Sequence, residues 1–211
     1  MARVKICGIT NEQDALWVAN LGADFIGLNF YKGSERKVSL EMAEKIVNGL
    51  PAFIKTVGIF VDEDVKTLKK IAAKCRLNMV QLHGNESPEY CAEIHAVQGE
   101  LKVIKAFRIK DESSLERITE YASFTDYYLL DAYVPDQLGG TGQIFNWELA
   151  VKAKALGKPV FLSGGLTPDN VKEAIDKVKP FAVDVASGVE KTSRRKDYDK
   201  MKDFIQKARE F

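Results

Sequence analysis

The sequence KPVFLSGGLTPDNVKEAIDKVKPFAVDVASGVE, residues 158–190, carries the pattern that decides the fold. Two apolar runs, Val160–Leu162 and Phe181–Val185, each lead directly into a glycine-containing loop. The segment between them has apolar residues at the spacing of one buried helix face: Val171, Ala174, Ile175 and Val178. Short apolar runs without alternation are typical of parallel strands that are buried on both faces. The stretch therefore predicts a strand, a helix and a second, parallel strand.

The same unit recurs along the whole chain. Eight short apolar runs predict eight strands: Arg3–Cys7, Phe25–Phe30, Thr56–Val61, Met79–Leu82, Lys102–Phe107, Tyr127–Asp131, Val160–Leu162 and Phe181–Val185. Amphipathic segments separate them. Eight strand–helix units in 211 residues leave roughly 26 residues per unit, which is the size of the smallest closed barrels. We expect an α/β protein in which residues 1–211 form a single (β/α)8 TIM barrel domain.

Composition and charge exclude several classes of protein. The chain has 31 Lys and Arg against 30 Asp and Glu, a net charge of +1, so it lacks the basic surface typical of nucleic-acid-binding proteins. No apolar run approaches the roughly 18 residues that a membrane span needs, and the opening MARVKICGIT has no signal-peptide stretch. We expect a cytoplasmic protein with no nucleic-acid or membrane partner.

The cysteine and histidine content bears on metal sites and disulfides. Three cysteines at unrelated spacings favour free thiols over a disulfide framework. With two histidines and no CxxC motif, a structural zinc site is not expected. The chain also lacks a GxGxxG motif after its first strand and a GxxxxGK[ST] motif, so the sequence gives no indication of a dinucleotide or P-loop site.

The active site of a barrel enzyme lies in the loops that follow the strands, and its phosphate site recurs after strands seven and eight. Here those loops contain Ser163-Gly164-Gly165 and Ala186-Ser187-Gly188. Glycine lets backbone amides approach an anion closely, although it also simply ends strands. We expect Ser163, Gly164, Gly165, Ser187 and Gly188 to bind the phosphate of a small phosphorylated substrate.

Two further strand ends carry groups suited to proton transfer. Cys7 ends the first strand and could act as a base if a neighbouring cation or dipole lowered its pKa, or it could be a small buried hydrophobe. Asp131 ends an apolar strand, so it could be held protonated as a general acid, or it could cap a turn into the glycine-rich stretch 138–142.

Two other charged positions are informative. Arg36 lies in the loop after the second strand, where an arginine is ordinarily solvated, but its planar fork would suit a substrate carboxylate if the loop folds over the mouth. Alternation along the first strand places Lys5 inside the barrel, where a charge needs a partner. Since the eighth strand closes against the first, we expect Lys5 to pair with Asp184.

Several motifs resemble those of the phosphoribosylanthranilate isomerase family, and they occur in the family's order from residue 5 to about residue 190. The opening Lys5-Ile6-Cys7-Gly8-Ile9-Thr10 is similar to the family's first signature. The later ones are Ser34-Glu35-Arg36, Gln81-Leu82-His83-Gly84, Leu129-Leu130-Asp131, Gly139-Gly140-Thr141-Gly142, Leu162-Ser163-Gly164-Gly165-Leu166 and Asp184-Val185-Ala186-Ser187-Gly188-Val189-Glu190.

The resemblance implies an Amadori rearrangement in tryptophan biosynthesis, from N-(5-phosphoribosyl)anthranilate to the 1-deoxy-ribulose 5-phosphate ketone, without cofactor or metal. It also implies that Cys7 is the general base, that Asp131 is the general acid and that Arg36 meets the anthranilate carboxylate. His83 matches a family motif, but neither the motif nor the sequence gives it a chemical role.

Two alternatives remain open at the level of sequence. Another phosphosugar isomerase or epimerase is one, although the usual metal-dependent epimerases need more strand-end histidines than this chain supplies. A non-catalytic barrel that binds a phosphorylated metabolite is the other, and turnover would distinguish it from an enzyme. The sequence is also compatible with a homodimer.

Overall fold

The computed structural model describes residues 1–96, 101–132 and 147–210. Eight parallel strands close into one barrel in chain order, which confirms the predicted (β/α)8 TIM barrel. The strands are β1 (Arg3–Cys7), β2 (Phe25–Asn29), β3 (Lys55–Phe60), β4 (Met79–Leu82), β5 (Lys102–Ile109), β6 (Tyr127–Ala132), β7 (Val160–Leu162) and β8 (Ala182–Val185). Apolar runs located them well because a barrel strand is buried on both of its faces.

Helices surround the barrel. They are α1 (Glu12–Asn20), α2 (Leu40–Asn48), α3 (Val65–Lys74), α4 (Pro88–His95), α5 (Trp147–Lys154), α6 (Val171–Val178) and α7 (Tyr198–Arg209). The predicted stripe of α6 is buried along its whole length. Within the three described ranges, no helix is long and apolar enough to span a membrane.

Helices α1 and α4 each begin at a side-chain cap. The side chain of Asn11 caps α1 by accepting a hydrogen bond from the backbone of Asp14 at 2.9 Å. The side chain of Ser87 caps α4 in the same way, and Pro88 occupies the first turn. Both caps satisfy backbone donors that a helix leaves without an internal partner.

The fifth unit differs from the prediction of a regular helix. Between β5 and β6 the chain forms two short 3-10 helices, Glu112–Leu115 and Ile118–Phe124. The residues of this segment that pack inward recur at every third position: Leu115, Ile118, Tyr121 and Phe124. That spacing matches the three residues per turn of a 3-10 helix better than the 3.6 residues of an α-helix.

The inside of the barrel changes character along its axis. One end is filled by apolar side chains: Phe25, Val57, Met79, Ile104, Ala106, Leu129, Phe161 and Ala182. Towards the carboxyl ends of the strands the interior becomes polar, with Lys5, Gln81 and Asp184 all buried. The apolar end closes the barrel, and the polar end forms the floor of the mouth.

A small hairpin follows β8 and packs beside the mouth. The chain first forms a short 3-10 helix, Ser187–Val189, and then the antiparallel pair β9 (Glu190–Thr192) and β10 (Arg195–Lys196). The backbone N–H of Lys196 donates to Asp14 of α1 at 2.9 Å. The hydroxyl of Thr10 donates to the carbonyl of Arg194 at 2.8 Å. These bonds fix the hairpin against the loop that follows β1.

Candidate active site

The mouth of the barrel contains a cavity of about 440 Å³. It brings together four of the eight predicted site residues, namely Cys7, Arg36, Asp131 and Ser163. The lining also includes Asn29, Ile59, Gln81, His83, Asp184 and Ala186. Charged and polar groups from strands on opposite sides of the barrel therefore face one volume, which is large enough for a small-molecule ligand.

The two predicted phosphate loops pack side by side, and each contributes one residue to the cavity lining, Ser163 and Ala186. The other predicted phosphate residues, Gly164, Gly165, Ser187 and Gly188, are not part of that lining. Gly164 and Gly165 have φ angles of +88° and +66°, a region that favours glycine. A Cβ on Gly188 would overlap the carbonyl oxygen of Leu166, so the loops pack backbone against backbone. Within the described residues, the N–H groups of Gly164 and Gly165 have no acceptor and are available to an anion.

The two serines of these loops occupy different positions. The hydroxyl of Ser163 donates to Asp184 at 3.1 Å, and its backbone N–H donates to the carbonyl of Leu130 at 2.8 Å. The hydroxyl and the backbone N–H of Ser163, which were expected to bind phosphate, thus stabilise the floor of the mouth instead. Ser187 begins the short 3-10 helix beside the cavity, which is the position where barrel enzymes commonly place a phosphate.

Cys7 lies at the end of β1 and faces the cavity. Gly27 on β2 makes room for it, since a Cβ there would lie 2.8 Å from the Cys7 sulfur. Burial raises the pKa of the Cys7 thiol, and the charges of Lys5 and Lys196 oppose that rise without cancelling it. The neighbouring cations therefore do not bring the pKa of Cys7 below its ordinary value when no ligand is bound, because desolvation of the thiolate outweighs their attraction.

The raised pKa predicts how Cys7 reacts with an alkylating reagent. Only the thiolate is alkylated, so the rate should be low at pH 7 and should rise about tenfold per pH unit up to and beyond the ordinary thiol range near 8.5. Mass spectrometry of iodoacetamide-labelled peptides would measure this rate. Cys75 and Cys91 are internal controls, since burial raises their pKa values to about 11 and about 12. An alkylation rate of Cys7 that has levelled off by about pH 8 would contradict a raised pKa for this thiol.

Lys5 is fully buried beneath Cys7 and forms the predicted ion pair. Its Nζ lies 2.9 Å from Asp184 Oδ1, so the expected pairing is confirmed. Nζ also donates to Gln81 Oε1 at 2.9 Å. Burial alone would lower the pKa of Lys5, but the charge of Asp184 and the hydrogen bond to it, together with the contact with Cys7, outweigh burial and raise the pKa, which keeps Lys5 charged. A fixed positive charge thus lies under the thiol.

Asp131 ends its strand inside the cavity and is almost completely buried. Its Oδ1 accepts a hydrogen bond from the backbone N–H of Ala132 at 2.9 Å. Its Oδ2 lies 3.5 Å from His83 Nε2. The carboxyl thus faces the cavity, and within the described residues it does not cap a later turn. The glycine-rich stretch 138–142, to which the alternative assigned it, lies outside the described residues.

Arg36 reaches the cavity, but part of its fork is already engaged. Its Nε and Nη2 donate to the two carboxylate oxygens of Glu190, each at 2.8 Å. Gly8 permits this placement, because a Cβ there would lie 2.6 Å from Arg36 Cδ. Within the described part of the chain Nη1 has no partner, so the outer edge of the guanidinium is the part that remains for a ligand.

Glu190 binds a second cation as well. Lys196 Nζ lies 3.1 Å from Glu190 Oε1. Burial alone would raise the pKa of Glu190, but the bonds from Arg36 and the charge of Lys196 outweigh it and hold the pKa below its usual range. The ionised carboxylate therefore clamps Arg36 in place from the hairpin that follows β8.

The sequence did not predict the roles of four residues of the site: Gln81, His83, Glu190 and Lys196. His83 and Gln81 follow the strand-end rule and could have been found as a pair, since both belong to β4 or its end and are two residues apart. Glu190 gave no such signal, because its importance depends on a contact with Arg36, which lies more than 150 residues away in the chain. Lys196 gave none either, because it acts through its ion pair with Glu190.

Comparison with known proteins places this geometry in a family. The family model described as N-(5'phosphoribosyl)anthranilate (PRA) isomerase matches residues 4–207. The chain belongs to this family. It is thus an isomerase of tryptophan biosynthesis, and the resemblance carried by the sequence motifs is confirmed. Two curated members of the phosphoribosylanthranilate isomerase family come from Geobacter. The protein of Geobacter sulfurreducens is 51% identical over 209 residues, 99% of each chain. That of Geobacter metallireducens is 49% identical over 209 residues, which cover 99% of this chain and all of the relative.

Solved structures of phosphoribosylanthranilate isomerases have the same fold. The enzyme of Thermotoga maritima superimposes with a TM-score of 0.91 at 44% identity, covering 99% of this chain and 98% of that one. A phosphoribosylanthranilate isomerase in complex with reduced 1-(o-carboxyphenylamino)-1-deoxyribulose 5-phosphate superimposes with a TM-score of 0.88 at 43% identity, with the same coverage.

Proposed function

We propose that this family member converts N-(5'-phosphoribosyl)anthranilate into 1-(2-carboxyphenylamino)-1-deoxy-ribulose 5-phosphate, with Cys7 as general base and Asp131 as general acid. The observation that carries the assignment is that both groups face one cavity from different sides of the barrel. The complex of a related isomerase with a reduced form of this product supports the choice of ligand.

The reaction begins with proton donation by Asp131. Asp131 gives its proton to the ring oxygen of the ribose, and the bond between that oxygen and C1 breaks as the anilino nitrogen supplies its electron pair to C1. The product is an open chain with a positively charged iminium at C1. Asp131 is left as a carboxylate, which the N–H of Ala132 stabilises at Oδ1.

Cys7 then removes a proton from C2. The iminium charge acidifies this hydrogen, and the electrons of the C2–H bond form a C1–C2 double bond while nitrogen recovers its lone pair. The resulting enolamine takes a proton at C1 while its C2 hydroxyl loses one, and it becomes the ketone. Before this step the Cys7 thiol must ionise by releasing its own proton to solvent, and the buried Lys5 ammonium stabilises the thiolate that forms.

The phosphate and the carboxylate of the substrate would lie at two ends of the cavity. We assign the phosphate to the loops Ser163-Gly164-Gly165 and Ser187-Gly188, because the backbone N–H groups of Gly164 and Gly165 have no acceptor within the described residues. We assign the anthranilate carboxylate to the outer edge of Arg36, which Glu190 holds in position. The two anionic ends fix the orientation of the ribose between acid and base.

Replacing Arg36 by methionine should weaken binding of the anthranilate half. Loss of a hydrogen-bonded charge pair should raise KM, and the Kd of the reduced product analogue, about 10- to 100-fold with a smaller change in kcat. Steady-state kinetics and calorimetric titration would measure these constants. Lys37→Met, at an exposed cation of the same loop, is the matched control and should leave both constants unchanged. Unchanged affinity in Arg36→Met would refute the carboxylate contact.

The reaction itself is tested by following the loss of fluorescence of the anthranilate-ribosyl substrate, generated in place by a coupled enzyme. Wild-type protein should consume it without added metal or cofactor. If phosphate-bearing analogues bind but neither this substrate nor other phosphosugars turn over, the chain is a binding barrel. If only another phosphosugar turns over, it is a different isomerase or an epimerase.

We also propose that the protein forms a homodimer in the cytoplasm. Cys7, Cys75 and Cys91 are free thiols, as expected in a reducing compartment. Phe53 is 63% exposed in the connection between α2 and β3, on the face of the barrel opposite the cavity. The phosphoribosylanthranilate isomerase of Thermotoga maritima is described as dimeric, and one of the solved structures shows monomers generated from it.

Light scattering after gel filtration would test the association. We expect the wild-type protein to have twice the mass of the chain, and Phe53→Glu to shift it to the monomer while turnover is retained. Tyr198→Glu, at a side chain that is 41% exposed elsewhere on the barrel, should remain a dimer. A monomeric wild type would contradict the proposal.

A further inference from the structure

A row of polar side chains crosses the floor of the mouth from β1 to β6. Lys5 Nζ donates to Gln81 Oε1 at 2.9 Å. Gln81 Nε2 lies 2.6 Å from His83 Nδ1. His83 Nε2 lies 3.5 Å from Asp131 Oδ2 and has no hydrogen-bond partner within the described residues. All four side chains are buried or nearly so, so water does not readily substitute for a missing partner.

The donor and the acceptor of each hydrogen bond in this row follow from the Lys5 end. An ammonium can only donate, so the atom of Gln81 that faces Lys5 must be its amide oxygen. The amide nitrogen of Gln81 therefore faces His83 and donates to Nδ1. A ring nitrogen that accepts a hydrogen bond carries no hydrogen, so the ring hydrogen of His83 must be on Nε2, the atom that faces Asp131.

We propose that Lys5 and Gln81 hold His83 in the Nε2–H tautomer, so that His83 donates a hydrogen bond to Asp131 Oδ2 once Asp131 has given up its proton. The inference rests on the proposed role of Asp131 as general acid. The separation of 3.5 Å in the resting enzyme is longer than a formed hydrogen bond, and contacts of this kind commonly shorten when the ligand binds.

The tautomer matters because the opposite one would work against the reaction. With hydrogen on Nε2, the new carboxylate is stabilised at Oδ2 by His83 and at Oδ1 by the N–H of Ala132. With hydrogen on Nδ1, the lone pair of Nε2 would face the carboxylate and repel it. Before the reaction, that lone pair would also compete with the substrate for the proton of Asp131. His83 and Gln81 are thus positioning residues that act through Asp131.

Nuclear magnetic resonance of the resting enzyme tests the tautomer directly and needs no turnover. The chain has two histidines, so ¹⁵N-histidine labelling gives two sets of ring signals, and His95→Gln assigns them. Long-range ¹H–¹⁵N correlation should show His83 with a protonated Nε2 and an unprotonated Nδ1. A His83 ring protonated on Nδ1, alone or together with Nε2, would overturn the proposal.

The variant Gln81→Glu replaces the hydrogen-bond donor that faces His83 Nδ1 by an acceptor, with almost no change in shape. A carboxylate at this position accepts from Lys5 and also from His83, so the ring hydrogen should move to Nδ1 and kcat should fall about 10- to 100-fold, with KM changed less than about twofold. His83→Gln, whose amide can donate near the position of Nε2, should keep a larger part of kcat than His83→Met. Equal losses in these two His83 variants would overturn the proposal.

A double variant separates this route from an effect on Cys7, which also contacts Lys5. In the His83→Met background, Gln81→Glu should lower kcat by less than about a further twofold. A loss as large as in the wild-type background would show that Gln81 acts through Lys5 and Cys7, and would overturn the proposal. The acid assignment fails separately, if Asp131→Asn turns over at the wild-type rate while the His83 tautomer is as expected.

Discussion

Replacing Cys7 by alanine should lower kcat by about 10²- to 10⁴-fold, the usual contribution of one positioned proton transfer. The substitution removes the only thiol in the described lining of the cavity and leaves Lys5, Asp184 and the two glycine loops in place. The substrate should still bind and its ring should still open, but C2 should keep its hydrogen. KM and the affinity for the reduced product analogue should change little.

Three measurements make this result specific to Cys7. Cys75→Ala removes a buried thiol at the C-terminal end of α3 and should leave kcat unchanged, whatever it does to stability. Cys7→Ser retains a group of similar shape but a far poorer base, so it should be nearly as slow as Cys7→Ala. Substrate deuterated at C2 should react more slowly than the protonated form in the wild type if proton removal limits the rate. Near-normal turnover in Cys7→Ala would refute the base assignment.

Replacing Asp131 by asparagine should lower kcat by a similar factor of about 10²- to 10⁴-fold. Asparagine keeps the shape of the side chain and can still accept from the N–H of Ala132. It has no acidic proton to give to the ring oxygen, so the reaction should stop before the ring opens. The pH–rate profile should also change, because the acid that must be protonated has been removed.

The control for Asp131→Asn is Asp176→Asn, which removes an exposed carboxylate on α6 that pairs only with Lys172 in the described structure. This variant should retain full activity, since exposed ion pairs contribute little. Binding of the reduced product analogue by Asp131→Asn should be within a few-fold of the wild type. A pH–rate profile and a kcat that both match the wild type would rule out Asp131 as the acid.

The fold was predictable from the sequence because barrel strands are recognisable one at a time. Each apolar run is buried on both faces wherever it lies in the chain, so no long-range information is needed to find it. The segment Glu112–Leu115 with Ile118–Phe124 was not predictable in the same way. Its three-residue period is short and close to that of an α-helix, and packing against the barrel selects between the two.

The site was only partly predictable, for a different reason. The position of Cys7 and Asp131 at strand ends follows from the fold alone. The direction of the pKa shift of Cys7 does not, because it depends on how far burial outweighs Lys5 and Lys196. The engagement of Arg36 by Glu190 joins residues from opposite ends of the chain, and the tautomer of His83 depends on Lys5, which lies on a different strand far away in the sequence.

The short segment 187–190 carries two separate duties on the proposed assignment. Ser187 and Gly188 face the phosphate, and Glu190, two residues later, holds the arginine that faces the carboxylate. The spacing between the two anchors is therefore set by a few peptide bonds, fixed by the packing of Gly188 on Leu166 and by the hairpin on α1. Because one short, rigid segment supports both contacts, the mouth should select ligands by the distance between their two negatively charged ends.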